Sequence, residues 1–489
     1  MRTETILLSA LLAAMAFPAY CSGAPAPKTY HVSNNGSDRN DGARNRPLRT
    51  IGRAAALAMP GDTVLVMAGV YRERVAPPRG GEKGKPIVYK GQPGKKVFIK
   101  GSEIWKPKWT AHAKGVWQAT PSDDLFDDRS PEYLDSHNPF KVHLSSTPYG
   151  RQGGQEVLRK FGGDPNMFYT CGQVFINGAN CREVPYLREL DRALTWFYEK
   201  KTGRIYINFG SLDPTRQVVE ITTRRRIFAP KVYNLGHIVV DGFIMAHCGN
   251  QYPTNFWNTP KWAQRGAVGT ERGHGWIIRN NVIRHVKTFA IDAGYVTVNP
   301  GESGGRARAN VRDNVIENNY LLENGSAGIL ASGTDRMIIR GNVIMYNNTL
   351  KFSGSKRWEH AGIKCHNPRD GLIVHNYVAD NLCQGIWLDN QYQRAKLSRN
   401  VIINNLERGI FLELSAYDWD QAQVDNNIVI GNAEHQIYTH DASGATFLHN
   451  LIANTKDQEK RGQGVFITRA TDRKSISGKF TFYNNLFIS

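Results

Sequence analysis

Two acidic residues hold the same position in neighbouring copies of a short motif. The sequence Gly-Ile-Trp-Leu-Asp at 385–389 recurs 24 residues later as Gly-Ile-Phe-Leu-Glu at 409–413. If the chain stacks as parallel strands, this repeat puts Asp389 and Glu413 on adjacent strands, which lie about 4.8 Å apart. Retaining glycosidases hold their two catalytic carboxyl groups about 5–5.5 Å apart, and inverting enzymes about 6.5–9.5 Å. The spacing therefore favours the chemistry of a retaining glycosidase, with Asp389 and Glu413 as the catalytic pair.

The element that would position this pair is a longer repeat in which an asparagine precedes two apolar residues. Successive copies are 38, 23, 34, 24, 27, 23 and 35 residues apart, and they begin at Asn281, Asn319, Asn342, Asn376, Asn400, Asn427, Asn450 and Asn485. The shorter spacings fit one coil of a solenoid, and the longer ones fit a coil that carries a loop. Short apolar runs punctuated by Asn and Gly predict strands joined by tight turns. The pattern predicts an all-β protein, a right-handed parallel β-helix in which the asparagines stack on one another.

A second strand begins ten residues after several of these asparagines, and side-chain alternation predicts its outward face. One outward row then contains Gly294, Ser332, His366, Asp389, Glu413 and His440. The row two residues earlier contains Asp292, Leu330, Lys364, Trp387, Phe411 and Tyr438. Two carboxylates would thus lie between two histidines, beside a lysine and three aromatic residues. Because aromatic rings stack on sugars and polar groups bind hydroxyls, we expect a carbohydrate subsite here.

The organisation of the chain predicts four segments. Residues 1–26 have a basic start and a short apolar run, as in a signal peptide, which predicts a secreted or periplasmic protein. Residues 27–102 begin the solenoid, and residues 103–230 lose the asparagine repeat and predict an inserted β-rich subdomain. Residues 231–489 contain the repeating coils and the catalytic site. The last residues lie within a repeat signature, so we expect the solenoid to continue.

Composition restricts the partners. The formal net charge of +19 would suit an acidic polysaccharide or a negatively charged envelope, or simply a solvated basic surface. No nucleic-acid-binding motif and no membrane-spanning segment is found, and the oligomeric state stays open. The six cysteines are scattered and do not predict a disulfide framework, although Cys21 leaves a lipid anchor open. We predict no metal site and no cofactor.

Several motifs along the chain are similar to those of one known family. They are Thr-Tyr-His-Val-Ser at 29–33, Pro-Gly-Asp-Thr-Val at 60–64, Ile-Lys-Gly-Ser-Glu-Ile at 99–104, Gly-Gln-Val-Phe-Ile-Asn-Gly at 172–178, Gly-Trp-Ile-Ile-Arg-Asn-Asn-Val-Ile at 275–283, Glu-His-Ala-Gly-Ile-Lys at 359–364 and Gly-Ile-Trp-Leu-Asp at 385–389. With these motifs the chain resembles the β-helical β-xylosidases of glycoside hydrolase family 120. The resemblance implies that Asp389 is the nucleophile, that Glu413 is the acid/base, and that the insertion is β-sandwich-like. Asn390 and Gln391 follow the nucleophile where we would expect a bulkier aromatic residue.

The remaining predicted site residues would bind an oligosaccharide of plant type. They are Glu359, Lys364, His366, Trp387, Phe411 and His440. Asp241, Asp292 and Glu359 are candidate groove carboxylates, although the sequence favours a turn or loop position for each of them. One alternative is a polysaccharide lyase in which Asp389 and Glu413 bind calcium and Lys364 abstracts a proton. Calcium prefers six to eight oxygen ligands, and no arginine is predicted on the same face to bind a uronate. Another alternative is a non-catalytic carbohydrate-binding scaffold.

Overall fold

The computed structural model describes residues 26–126, 128–130, 136–144, 169–251, 265–295, 311–351, 360–415, 421–442, 444–453, 463–468 and 479–488. The predicted signal segment (apart from residue 26) and Glu359 lie outside these residues. Among the described residues, no helix has the length and apolar character required to cross a bilayer.

Three long parallel sheets form the walls of the coils. Sheet 1 contains Thr29–Val32, Thr63–Val66, Ile87–Gly91, Ile238–Asp241, Ile277–Arg279, Val315–Glu317, Ile338–Arg340, Leu372–Val374, Lys396–Ser398, Ala422–Asp425, Gly444–Leu448 and Lys479–Tyr483. Sheet 2 contains Gly69–Tyr71, Val97–Lys100, Ile244–Ala246, Val282–Arg284, Tyr320–Leu322, Val343–Met345, Tyr377–Ala379, Val401–Ile403, Ile428–Ile430, Leu451–Ala453 and Leu486–Ile488. Sheet 3 contains Val268–Gly269, Ile291–Tyr295, Ile329–Ser332, Ala361–His366, Gln384–Asp389, Ile410–Glu413, His435–His440 and Gln463–Thr468. The fold is a right-handed parallel β-helix, which confirms the predicted fold class.

The core of the β-helix is built from aliphatic rows. One fully buried row of isoleucines runs through sheet 3 in register, from Ile291 through Ile329, Ile363, Ile386 and Ile410 to Ile437. Fully burying an aliphatic side chain of this size contributes about 1.5–3 kcal/mol. The packing of this row therefore fixes the register of the sheet 3 strands, and the register determines where each outward side chain lies.

The repeated asparagines stack at the corner between sheets 1 and 2, as predicted. Each side-chain amide donates to the next asparagine: Asn376 Nδ2 lies 3.0 Å from Asn400 Oδ1, and Asn400 Nδ2 lies 3.0 Å from Asn427 Oδ1. The same amide nitrogen of Asn400 also donates to the carbonyl of Ile373. Because each rung satisfies buried backbone and side-chain groups together, the asparagines hold the corner of every coil.

A second asparagine ladder was not predicted. It follows sheet 2 and contains Asn324, Asn347, Asn381, Asn405 and Asn432, with amide-to-carbonyl distances of 2.8–2.9 Å between neighbours. Its last member donates to Gln436 Oε1 at 2.9 Å, so that a glutamine ends the ladder. Each of these asparagines lies five residues after a member of the first ladder. That offset is the signal that could have revealed the second ladder.

Two smaller sheets occupy the stretch between the early and later coils. The first contains Ala179–Asn180, Val174–Ile176, Val219–Thr222 and Ser102–Ile104, and the second contains Arg182–Glu183, Thr195–Glu199, Arg204–Asn208, Val116–Ala119 and Thr110–Ala113. All their pairings are antiparallel except that of Arg182–Glu183 with Thr195–Glu199. We call this unit the inserted subdomain. It is attached to the coils by a buried ion pair, in which Lys287 Nζ lies 2.7 Å from Glu183 Oε2.

The helical segments are short. The α-helix Ile51–Leu57 begins at Thr50, whose side chain accepts a hydrogen bond from the backbone of Arg53, and its buried face packs on the first coil. Single 3₁₀ turns cover Asp123–Leu125, Pro139–Lys141, Leu187–Glu189 and Pro214–Arg216. The five described cysteines are buried and form no disulfide bond with one another. Buried thiols of this kind pack as small apolar residues.

Candidate active site

Asp389 and Glu413 end two adjacent strands of sheet 3 and are paired in register. A glycine lies at the start of each strand, as the second residue of Gln384–Asp389 and just before Ile410–Glu413, because the backbones of successive coils approach closely there. A Cβ atom on Gly385 would lie 2.5 Å from the carbonyl oxygen of Gly409, which is too close for any other residue. The repeated Gly-Ile start therefore sets the register that brings the two carboxylates side by side.

The row of outward side chains continues on both sides of the pair. His366 pairs with Asp389, and Glu413 pairs with His440, as the alternation predicted. The residue after each of these four leaves the strand with a left-handed backbone, at Asn367 (φ 55°), Asn390 (51°), Leu414 (54°) and Asp441 (49°). The four side chains thus occupy the last outward position before the chain turns the corner.

The predicted row is wrong at its other end. Ser332 pairs with Tyr295 rather than with Gly294, because the register shifts between Asp292 and Tyr295 where Gly294 has a φ of 124°. Asp292 is fully buried, and burial raises the pKa of its carboxyl well above the ordinary value. It lies three strands from the strand of Asp389. Because its side chain is inaccessible and this far from Asp389, Asp292 does not line a groove beside Asp389 and Glu413.

Asp241 lies on another face. It belongs to sheet 1, where it accepts hydrogen bonds from Arg279 at 3.0 Å and from Asn280 at 2.8 Å. Asp241 therefore does not line a groove on sheet 3. It is the last residue of a sheet 1 strand, rather than the turn or loop carboxylate that the sequence favoured.

Asp389 is held by a buried cation. Lys364 Nζ lies 2.7 Å from Asp389 Oδ2, and the lysine side chain is fully buried. The same ammonium lies 3.3 Å from the centre of the Trp387 ring, which adds a cation–π contact. His366 Nε2 lies 4.0 Å from Asp389 Oδ2 and 3.1 Å from the amide nitrogen of Asn390. Oδ1 of Asp389 is buried and has no hydrogen-bond partner among the described residues, so this oxygen is uncommitted.

Glu413 has the electrostatics of a general acid. Burial, and after it the neighbouring charge of Asp389, together raise the pKa of its carboxyl to about 7. Lys364, Arg408 and the indole of Trp387 oppose the rise. The indole nitrogen makes no hydrogen bond of normal geometry with a described residue, so its influence is that of a nearby dipole. At pH values below about 7 the site thus contains the protonated carboxyl group of Glu413 beside the ion-paired carboxylate of Asp389.

The aromatic residues do not form the open platform expected from the sequence. Trp387 and Phe411 are 2% and 3% exposed, and they stack on each other at 4.7 Å with 22° between the planes. The other face of Trp387 is occupied by Lys364, and Tyr438 lies 4.9 Å beyond Phe411. Strands that stack in register stack their side chains too, so both faces of the indole are used within the protein. These rings exclude water from the carboxylates and offer only their edges to a ligand.

Arg408 is a site residue that the sequence prediction missed. Its guanidinium lies 4.8 Å from the centre of the Phe411 ring and 4.1 Å from that of Tyr438, and it pairs with Glu434 at 2.9 Å. The side chain is 4% exposed. The expectation that no arginine lies on this face is therefore wrong. Arg408 precedes the strand, where side-chain alternation no longer predicts direction. The signal that could have revealed it is its position next to Gly409 of the repeated motif.

The remaining predicted residue, His440, lies one strand beyond Glu413. Its Nδ1 lies 2.9 Å from Thr468 Oγ1, and its side chain is 30% exposed. The structure thus brings together Lys364, His366, Trp387, Asp389, Phe411, Glu413 and His440. In the described part of the chain, no group of three or more His, Cys, Asp or Glu side chains is arranged to hold a metal ion.

Comparisons with known protein families support the fold. A model described as "Right handed beta helix region" matches residues 265–452, and a "Protein of unknown function (DUF1565)" model matches residues 34–77. The uncharacterized protein YwoF of Bacillus subtilis (strain 168) is 36% identical over 74 residues. This match spans 15% of the present chain and 16% of that relative, so it concerns only one segment.

Comparisons with solved structures extend over nearly the whole chain. The complex of XylC with xylose superimposes with a TM-score of 0.76 at 27% identity, covering 94% of this chain and 75% of XylC. A glycoside hydrolase has a TM-score of 0.54 at 13% identity, covering 94% of this chain and 96% of its own. A GH136 lacto-N-biosidase from Eubacterium ramulus has a TM-score of 0.51 at 15% identity, covering 94% and 67%. At such low identity the last two similarities concern the fold alone.

Proposed function

We propose that this protein is a secreted retaining glycoside hydrolase that cleaves β-xylosides in plant-type oligosaccharides. The observation that carries the proposal is the pairing of Asp389 with Glu413 on adjacent strands, with the pKa of Glu413 raised to about 7. The similarity to XylC, whose structure contains xylose, supports the choice of sugar. The membership in glycoside hydrolase family 120 that the sequence motifs imply is part of the same proposal.

In the first step, the carboxylate of Asp389 attacks the anomeric carbon, and Glu413 donates its proton to the leaving oxygen. The bond from the anomeric carbon to that oxygen breaks as the glycosyl ester of Asp389 forms. The ammonium of Lys364, 2.7 Å from Asp389 Oδ2, holds the carboxylate in place before the attack. Because the rings of Trp387 and Phe411 keep the surroundings apolar, the proton stays on Glu413 until it is needed.

In the second step, Glu413, now ionised, removes a proton from water. The water oxygen attacks the anomeric carbon on the face opposite Asp389. The ester bond breaks, Asp389 leaves as a carboxylate, and the sugar is released with its original anomeric configuration. Once Asp389 is esterified its charge is gone, so one of the two causes that raised the pKa of Glu413 disappears. The same carboxyl group can then act as a base.

The other predicted residues would bind the sugar around this pair. In the proposal, His366 donates to or accepts from a sugar hydroxyl beside Asp389, and the edges of Trp387 and Phe411 line the pocket. His440 and Glu359 would contact sugar hydroxyls. The oligosaccharide is the only partner that the proposal requires, and it requires no cofactor.

The geometry disfavours the lyase alternative. A lyase would need Lys364 as a neutral base, but its ammonium lies 2.7 Å from Asp389 and 3.3 Å from the centre of the Trp387 ring. Both contacts stabilise the protonated form, which has no lone pair with which to remove a proton. Breakdown of an acidic polysaccharide that requires calcium would support the lyase, whereas sugar binding without turnover would support a scaffold.

Covalent trapping tests the proposal. A 2-deoxy-2-fluoro-β-xylosyl fluoride loses fluoride rapidly but forms a glycosyl-enzyme that hydrolyses slowly, so we expect one fluorosugar per chain on the peptide that contains Asp389. The matched control is Asp370→Asn, which alters an exposed, ion-paired carboxylate at another corner of the same coil and should label like the wild type. Asp389→Ala should not be labelled. Label on another residue, or no label despite xyloside turnover, would contradict the assigned nucleophile.

A further inference from the structure

The two ends of the outward face of sheet 3 differ in how they are covered. On the side of the earlier coils, Leu330 and Lys364 are fully buried and Ser332 is 2% exposed. On the side of the later coils, the His440 side chain is 30% exposed, and Phe466 is partly exposed. The site is therefore closed in one direction along the coils and more open in the other.

The inserted subdomain closes the first end. Leu144 and Tyr169, which flank its sheets, pack in one apolar cluster with Phe289, Ala327 and Leu330 of the coils. Leu330 belongs to the same outward row as Lys364 and lies one strand before it. A sugar chain that lay on the catalytic pair could not continue past this cluster without displacing it.

At the open end, a small hydrogen-bond network orients the His440 ring so that Nε2 can accept a hydrogen bond. Thr468 Oγ1 donates to the carbonyl of Thr439 at 3.1 Å, and a carbonyl can only accept. Thr468 Oγ1 also lies 3.1 Å from Tyr438 OH and 2.9 Å from His440 Nδ1. A hydroxyl has one hydrogen, and with that hydrogen on the carbonyl of Thr439, the tyrosine hydroxyl and Nδ1 are the donors in these two contacts. In the neutral ring of His440, Nε2 then carries a lone pair. Asp441 Oδ2 lies 3.7 Å from this nitrogen, beyond hydrogen-bond distance.

The order of Asp389 and Glu413 along the coils indicates the same direction for the leaving-group side of the substrate. The acid must lie beside the leaving oxygen, and Glu413 is on the later-coil side of Asp389, next to His440. We propose that the leaving-group sugar lies over the later coils, where His440 Nε2 accepts a hydrogen bond from one of its hydroxyl groups. The inference rests on the proposed function and adds to it the direction of the substrate and a residue that recognises the departing sugar.

Two substrates that differ only in the leaving group test this inference. Xylobiose has a leaving sugar, whereas the leaving group of β-xylosyl fluoride is a single atom. The readout is the ratio of their kcat/KM values, because a loss of stability or of active enzyme affects both substrates equally. For His440→Ala we expect the ratio to fall about tenfold, the effect of one hydrogen bond of about 1.4 kcal/mol.

Two further variants keep the result interpretable. Thr468→Val removes the hydroxyl that orients the His440 ring, so the ratio should fall in the same direction by a smaller factor. Ser332→Ala, at the closed end, should keep the wild-type ratio. A fall with Ser332→Ala, or an unchanged ratio with His440→Ala, would overturn the assigned direction while leaving the glycosidase proposal intact. If the wild type cleaves neither xylobiose nor β-xylosyl fluoride, the proposed function and this inference are both overturned.

Discussion

Replacing the proposed acid by its neutral isostere should stabilise the protein, and only at high pH. Burial and the charge of Asp389 raise the pKa of Glu413 from the ordinary 4.5 to about 7. Between these two values the unfolded chain releases the proton while the folded protein retains it, so stability falls as the pH rises. One pH unit corresponds to about 1.4 kcal/mol, so above pH 7 the ionised side chain lowers the free energy of unfolding by about 3 kcal/mol.

Glu413→Gln keeps the shape of the protonated acid and cannot ionise. We therefore expect the free energy of unfolding to rise by about 2–3 kcal/mol at pH 8, and to change by less than about 1 kcal/mol at pH 4.5. Urea denaturation at both values measures this difference, and the exposed Glu82→Gln serves as the control. Equal effects of Glu413→Gln at the two pH values would refute the claim that the folded site holds this proton.

Three further predictions concern turnover and the coils. The kcat/KM for xylosides should fall above about pH 7 with the loss of one proton, because Glu413 must be protonated to act as the acid, and a pH–rate profile measures this. Lys364→Met should lower kcat/KM at least about 100-fold, because Asp389 would remain as a buried charge without its cation; circular dichroism checks that the variant folds. Asn400→Ala should lower the free energy of unfolding by about 2–4 kcal/mol, because neighbouring rungs lose their partners, whereas the exposed Asn35→Ala should change it by less than about 0.5 kcal/mol in urea denaturation.

The repeat carried most of the information about the fold. The asparagine that recurs once per coil predicted the β-helix and the stacked ladder at its corner. The alternation of Ile386 and Leu388 with Trp387 and Asp389 predicted the inner and outer faces of the strand correctly. The reason is physical, because parallel strands in register repeat the environment of each position from one coil to the next. Where the register shifts, at Gly294, the extrapolation failed.

The environment of the site was less predictable. Periodicity gives the direction of a side chain but not what covers it, and so the burial of Trp387 between Lys364 and Phe411 was not foreseen. Arg408 lies just outside the regular strand, where alternation ends. The packing of Leu144 against Leu330 joins residues that are far apart in the sequence and share no motif.

The central claim is that Asp389 and Glu413 hydrolyse a β-xyloside with retention, and proton NMR of the first product tests it most directly. Xylobiose incubated with the wild-type protein should release β-xylose first, before mutarotation produces the α-anomer, and Asp389→Ala should release almost none. The appearance of α-xylose first would show inversion, and would contradict both the double displacement and the role of Asp389 as nucleophile.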